Sequence, residues 1–119
     1  MITFITPSIG RSTIIDTINS VINQTYEDWK YIIGFDGIEP EQNIIDLINS
    51  NNKISYHVFP KKGNSNHGGH VRNAAIKLST TEWIGFVDDD DILTNDYVHN
   101  LKKELLVSNY DCIIFKYIN

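Results

Sequence analysis

Disulfides, long apolar runs and excess positive charge are all missing from this sequence, and each absence removes a class of protein. The lone cysteine, Cys112, cannot close an internal bridge, and its apolar neighbours assign it to core packing in a reducing compartment. No stretch approaches the roughly 18 apolar residues that a membrane-spanning helix needs. Residues 1–5 are too few for a signal-peptide core, and Thr3, Thr6 and Pro7 interrupt the apolar pattern there. These two absences make the cytoplasm the expected location, with peripheral attachment at the inner membrane face through another chain still allowed. Lys and Arg number 10 against 15 Asp and Glu, for a net charge of -5. A general nucleic-acid binder is usually basic, so that class is set aside. An anionic substrate is not, because a bound divalent cation inverts the local sign.

What is present fits one soluble globular domain. The 119 residues are 41% hydrophobic and 21% charged, enough for a real core but small for a whole enzyme. The most informative stretch runs from Glu82 to Leu93, where the apolar run Trp83-Ile84-Gly85-Phe86-Val87 stops at Asp88, Asp89, Asp90 and Asp91. The apolar part reads as a buried strand. Acids at its carboxyl end stand where open α/β sheets keep their ligands. Four adjacent side chains cannot all point one way, so two or three are expected to converge. Converging carboxylates repel unless a cation neutralises them, and an oxygen-only set suits Mg²⁺ or Mn²⁺. The plainer alternative is a solvated acidic loop.

The rest of the chain alternates strand and helix, without repeats or linkers. Residues 2–6 read as a strand stopped by Pro7 and Gly10. A helix follows on Ile14, Ile15, Ile18, Val21 and Ile22, with Ser12 or Thr13 as N-cap. Residues 29–35 form a second strand closed by the turn pair Asp36-Gly37. Pro40 marks the start of a helix carrying Ile44, Ile45, Leu47 and Ile48. A third strand spans 54–59, and 60–69 reads as loop. A helix over 70–78, the strand at 83–87, a helix over about 95–107 capped by Thr94 or Asn95, and a last strand over 111–118 complete the pattern. Strands alternating with helices of about ten residues predict an α/β fold with a mostly parallel sheet flanked by helices. Right-handed crossovers then bring the ends of the first, second and fourth strands, at Thr6, Asp36 and Asp88, to one edge and one cleft.

Four segments in this order resemble family 2 glycosyltransferases of the GT-A fold. They are Ile5-Thr6-Pro7-Ser8-Ile9-Gly10-Arg11, the helix and exit Ser20 to Trp29, the pair Arg72-Asn73 with Ala74-Ala75, and the aspartate run as a DxD signature. The resemblance covers nearly the whole chain. It implies a Rossmann-like domain that binds a nucleotide-sugar donor, UDP-linked in the main expectation, and a sugar transfer with inversion to a glycan, lipid-linked or other hydroxyl acceptor. Asp88 and Asp90 match the outer members of the DxD motif and are the expected metal ligands, for Mn²⁺ or Mg²⁺. Asp88 or Asp89 is expected at the ribose or at a metal-bound water. Asp36 matches the aspartate that accepts from the base, and Thr6 and Pro7 match the loop along the nucleoside. Ser8 and Arg11 of the same loop and Arg72 near the cleft complete the nucleotide set. The sequence departs from the family in having Phe35-Asp36-Gly37 where a second aspartate is usual, and Ile9-Gly10 where an aromatic-asparagine pair is common. No residue stands out as the general base. The resemblance implies that the acceptor-binding half would begin about where this chain ends, so the chain is expected to be a single donor-binding domain.

Duller roles compete at several positions. Asp36 could be a turn former, and Arg72 could be a helix residue paired with a carboxylate. His67 and His70 lack further ligands for zinc and read as loop and helix-cap residues. Gly68-Gly69 has no Lys-Ser/Thr pair after it to make a phosphate loop. Trp29 and Trp83 read as core or rim packing. Two other functions share the pattern: a non-catalytic nucleotide-sugar-binding subunit, and a receiver-like signalling module. The receiver is disfavoured because its acidic pair belongs after the first strand, where this chain has Thr6-Pro7-Ser8.

Overall fold

The computed structural model describes residues 1–61, 68–107, 109 and 111–113. Its elements in chain order are β1 (Ile2–Ser8), α1 (Ile14–Ile22), β2 (Trp29–Asp36), α2 (Gln42–Asn49), β3 (Ile54–Phe59), α3 (Gly69–Ile76), β4 (Trp83–Phe86) and α4 (Tyr97–Val107). The strands form one sheet in the order β3-β2-β1-β4, and every pairing is parallel. The architecture is thus the expected α/β sheet flanked by helices.

β1 and β2 are buried along almost their whole length, as strands covered on both faces must be. Alternation splits their side chains between two layers. Ile2, Phe4, Tyr31, Ile33 and Phe35 face the larger core, with Ile14, Ile18, Val21, Ile44, Ile48, Val98 and Leu101 from α1, α2 and α4. Ile5 and Ile32 face the other way, onto Ala75 of α3. Gly34 lets α3 lie close to the sheet, since a Cβ there would stand 2.4 Å from Val71 Cγ1.

Packing, not capping, holds α1. Thr13 occupies the N-cap position without a side-chain hydrogen bond, where a good cap would add about 1 kcal/mol. Ile14, Ile18 and Val21 are completely buried, each contributing about 1.5–3 kcal/mol. The expected N-cap position at Thr13 is thus found, but without the capping hydrogen bond. α2 begins two residues after Pro40, with Glu41 in the N-cap position and Pro40 itself buried. α4 likewise starts at Tyr97, because residues 95–96 form a turn in which the Tyr97 N–H donates to the Thr94 carbonyl at 3.1 Å.

β1 continues through Pro7 to Ser8 instead of stopping at Thr6. The Ile5 carbonyl accepts from the Val87 N–H at 3.0 Å, so odd-numbered residues of β1 turn their backbone groups towards β4. The β1–β4 ladder ends at the Ile5–Phe86 pair, and Pro7 therefore loses no ladder bond by lacking an N–H.

Cys112 is exposed, contrary to the core role expected for it. Residues 111–113 form no strand, so the apolar run gains no cover from the sheet at that point. The remainder of the expected last strand lies outside the described residues. Trp29 is buried and Trp83 packs on the core rim, as expected. Among the described residues no helix is long and apolar enough to cross a membrane.

Candidate functional site

The carboxyl ends of β1, β2 and β4 open into one cleft of about 400 Å³, lined by Pro7, Ser8, Ile9, Arg11, Asp36, Gly68, Arg72, Asp88, Asp89 and Asp90. Three clusters distant in sequence thus meet where the parallel topology requires. Thr6 is the exception. Its side chain is fully buried, and its hydroxyl lies 2.6 Å from that of Tyr31 in the core beneath the cleft. Burial pushes the Tyr31 phenol far above its usual range. Even positions of β1 point into the larger core, and Thr6 follows that alternation.

The four aspartates divide by role. Asp89 turns inward and is 4% exposed. It accepts from the Ser8 hydroxyl at 2.8 Å and from Arg11 through Nε at 3.1 Å and through Nη2. The Arg11 guanidinium is held protonated still more firmly than usual by its hydrogen bond to Asp89, then by the charge of Asp89, with smaller help from Asp90 and Asp88. Asp88, Asp90 and Asp91 each offer an oxygen, and these atoms lie within 4.8 Å of one another. Asp91 also braces the loop: its Oδ2 accepts the Asp88 N–H at 3.3 Å, and its own N–H donates to the Asp88 carbonyl at 3.1 Å. Burial raises the Asp91 pKa, and repulsion from the neighbouring aspartates adds to that, while the Asp88 N–H opposes it. Asp91 thus stands in one cluster with Asp88 and Asp90. An all-oxygen, all-carboxylate set this compact fits a hard divalent cation, Mg²⁺ or Mn²⁺, far better than a softer metal.

Basic and hydrogen-bonding groups complete the cleft. Arg72 Nη2 meets Asp88 Oδ1 at 2.9 Å, the plainer pairing role expected for it, and Arg72 also lines the cleft. His70 Nε2 lies 3.0 Å from Asp36 Oδ1, with both side chains mostly buried. That partnership was not foreseen, because nothing in the sequence links residues 34 positions apart except the topology. Gly68 precedes α3 at φ +80°, and a Cβ there would stand 2.9 Å from Pro7 Cβ. Any other residue would push α3 away from the end of β1. His67 lies outside the described residues.

A second set of residues, also missed, holds the aspartate loop from below. Thr17 donates to the Asp91 carbonyl at 2.6 Å. Ser20 accepts the Leu93 N–H at 3.0 Å. Gln24 donates to the Thr94 carbonyl at 2.7 Å and accepts the Val98 N–H at 3.0 Å. The signal was available: Thr17 and Ser20, at i and i+3, lie on one side of α1 beside its apolar face, and Gln24 follows just past its end.

An all-parallel sheet with acids and bases gathered over its carboxyl edge defines an α/β protein of the class whose ligand sites lie at that edge. The chain belongs to glycosyl transferase family 2, whose model matches residues 3–119. Among curated relatives it is 32% identical over 111 residues to the poly(ribitol-phosphate) beta-N-acetylglucosaminyltransferase TarP of Staphylococcus aureus, covering 85% of this chain and 31% of TarP. It is 36% identical over 88 residues to an uncharacterized glycosyltransferase of Rickettsia bellii, covering 72% of this chain and 11% of that protein. The chain thus spans about a third or less of the length of these relatives.

Solved structures share the fold. The S. aureus TarS structure in complex with UDP-GlcNAc superposes with a TM-score of 0.69 at 23% identity, covering 86% of this chain and 30% of that one. The mannosyltransferase PcManGT of Pyrobaculum calidifontis, in complex with GDP-Man and Mn²⁺, gives a TM-score of 0.68 at 15% identity, covering 87% of this chain and 32% of that one. The fold is accordingly the Rossmann-like GT-A arrangement.

Proposed function

We propose that this chain is the donor-binding domain of a glycosyltransferase that takes a sugar from a nucleotide sugar, UDP-linked, and passes it to an acceptor hydroxyl with inversion. One observation supports this reading above the others: Asp88, Asp90 and Asp91 converge, and the first two line a cleft that also holds Arg11, Arg72 and Asp36. Asp88, Asp90 and Asp91 would hold Mn²⁺ or Mg²⁺. When bound, such an ion supplies positive charge to the diphosphate as it leaves. Asp36 accepts an N–H of the base, and Pro7 and Ser8 flank the nucleoside. Arg72 adds a guanidinium to the phosphate end, while Arg11 and Asp89 fix the loop between them. Thr6 contributes from the core, through Tyr31, and not by contact.

The acceptor hydroxyl needs a base on the far face of the sugar. None of the residues above is suited to that task, and we assign it to the acceptor-binding part of the longer architecture that the relatives have. The name of the TarP relative supports a polymer hydroxyl as the acceptor class.

Calorimetric titration of UDP in the presence and absence of Mn²⁺ tests the reading. Binding is expected to require the metal, and Asp90→Asn is expected to abolish that requirement together with most of the affinity. Absent or metal-independent binding by the unaltered protein would overturn it.

A further inference from the structure

The pairing of Asp36 with His70 bears on which nucleobase the cleft accepts, an inference that rests on the donor-site reading above. Asp36 ends β2 and lines the cleft. His70 stands behind it in the first turn of α3, off the cleft wall, with Nε2 3.0 Å from Oδ1. An ionised carboxylate only accepts hydrogen bonds. The ring nitrogen therefore donates, and one of the two Asp36 oxygens is committed before any ligand arrives. Among the described residues, His70 is the side chain to which Asp36 is bonded.

Two nucleobases carry a ring N–H that a carboxylate can take. Uracil offers one such group, flanked by two carbonyl oxygens. Guanine offers its ring N–H beside an exocyclic amine, and the two together engage both oxygens of a carboxylate. A carboxylate with one oxygen committed to histidine satisfies uracil completely. Facing guanine, the same group must share Oδ1 between the histidine and the amine, which weakens the second hydrogen bond, and a site built on hydrogen bonds discriminates against such a loss.

We propose that His70 is a positioning residue that sets the base preference, favouring uracil over guanine by occupying Asp36 Oδ1. It acts through Asp36 and need not touch the nucleotide itself.

Titrating UDP and GDP, each with Mn²⁺, into the unaltered protein, His70→Ala and His70→Gln tests this. The unaltered protein is expected to prefer UDP, and His70→Ala to lower the UDP-to-GDP affinity ratio by about tenfold, the scale of one hydrogen bond to a charged group. The glutamine variant, whose amide can donate from a similar position, should restore most of the ratio. Where alanine compromises folding, His70→Phe keeps ring volume without the donor and must give the same fall. Equal weakening of both nucleotides, or a preference for GDP in the unaltered protein, would overturn the proposal and leave the metal-dependent donor site standing. Failure of the unaltered protein to bind either nucleotide would overturn the donor-site reading, and this inference with it.

Discussion

Ser8 and Asp89, 81 positions apart in the chain, meet through a 2.8 Å hydrogen bond beneath the cleft. The bond ties the end of β1 to the loop after β4, and Arg11 closes it from the solvent side. One aspartate of the run is thereby tied into the scaffold on which the other three are grouped.

Ser8→Ala is therefore expected to lower the unfolding free energy by about 1–3 kcal/mol, because a buried charged acceptor loses one donor. Urea denaturation should show the midpoint falling with the slope unchanged. Asp89→Ala should cost more, since the Ser8 and both Arg11 hydrogen bonds disappear together.

The buried hydroxyl pair of Thr6 and Tyr31 gives a different signature. Thr6→Val and Tyr31→Phe each strand a hydroxyl in the core, at about 1–2 kcal/mol apiece. The double variant strands neither, so its loss should fall well short of the sum of the single losses. UDP affinity of Thr6→Val should be unchanged, because that side chain does not reach the cleft. A large loss of affinity at normal stability would restore Thr6 to the nucleotide-contacting set.

On the opposite side of the molecule, Lys102 pairs with Asp28 and holds its carboxyl below the usual range, by the hydrogen bond first and the charge second. A depressed carboxylate contributes stability that is complete above its unfolded pKa of about 3.9. That contribution is lost as pH falls through the lower folded value. Lys102→Met should move the Asp28 titration, followed by NMR, back up towards the unfolded value and should flatten the acid limb of the stability profile. Both groups face solvent, so the change in stability is expected to be small.

Much of this molecule was legible in its sequence because two signals agreed. Apolar periodicity placed eight elements, and β3 was matched to the residue. The parallel topology then followed from alternation, and with it the meeting of Asp36, Asp88 and the loop after β1. Element ends were less legible. Pro7 looked like a strand stop, and it was tolerated only because β4 had already turned away. Pro40 looked like a helix start, and it is instead buried before one. The clustering of Asp88 and Asp90 at the cleft was legible because a motif carried it. The site was not legible where long-range geometry decided, as for His70 on Asp36 or for Thr6 turned into the core.

His70 and Arg72 are two residues apart on α3, yet they reach Asp36 at the end of β2 and Asp88 after β4, on either side of β1. The helix is in effect a yoke across the central strand, hitched at both ends and seated at Gly68. Inserting a single residue between Gly68 and His70 would swing every later side chain by about 100°. Both hitches would slip at once, so the Asp36 end and the Asp88 end of the cleft cannot be retuned separately by moving this helix.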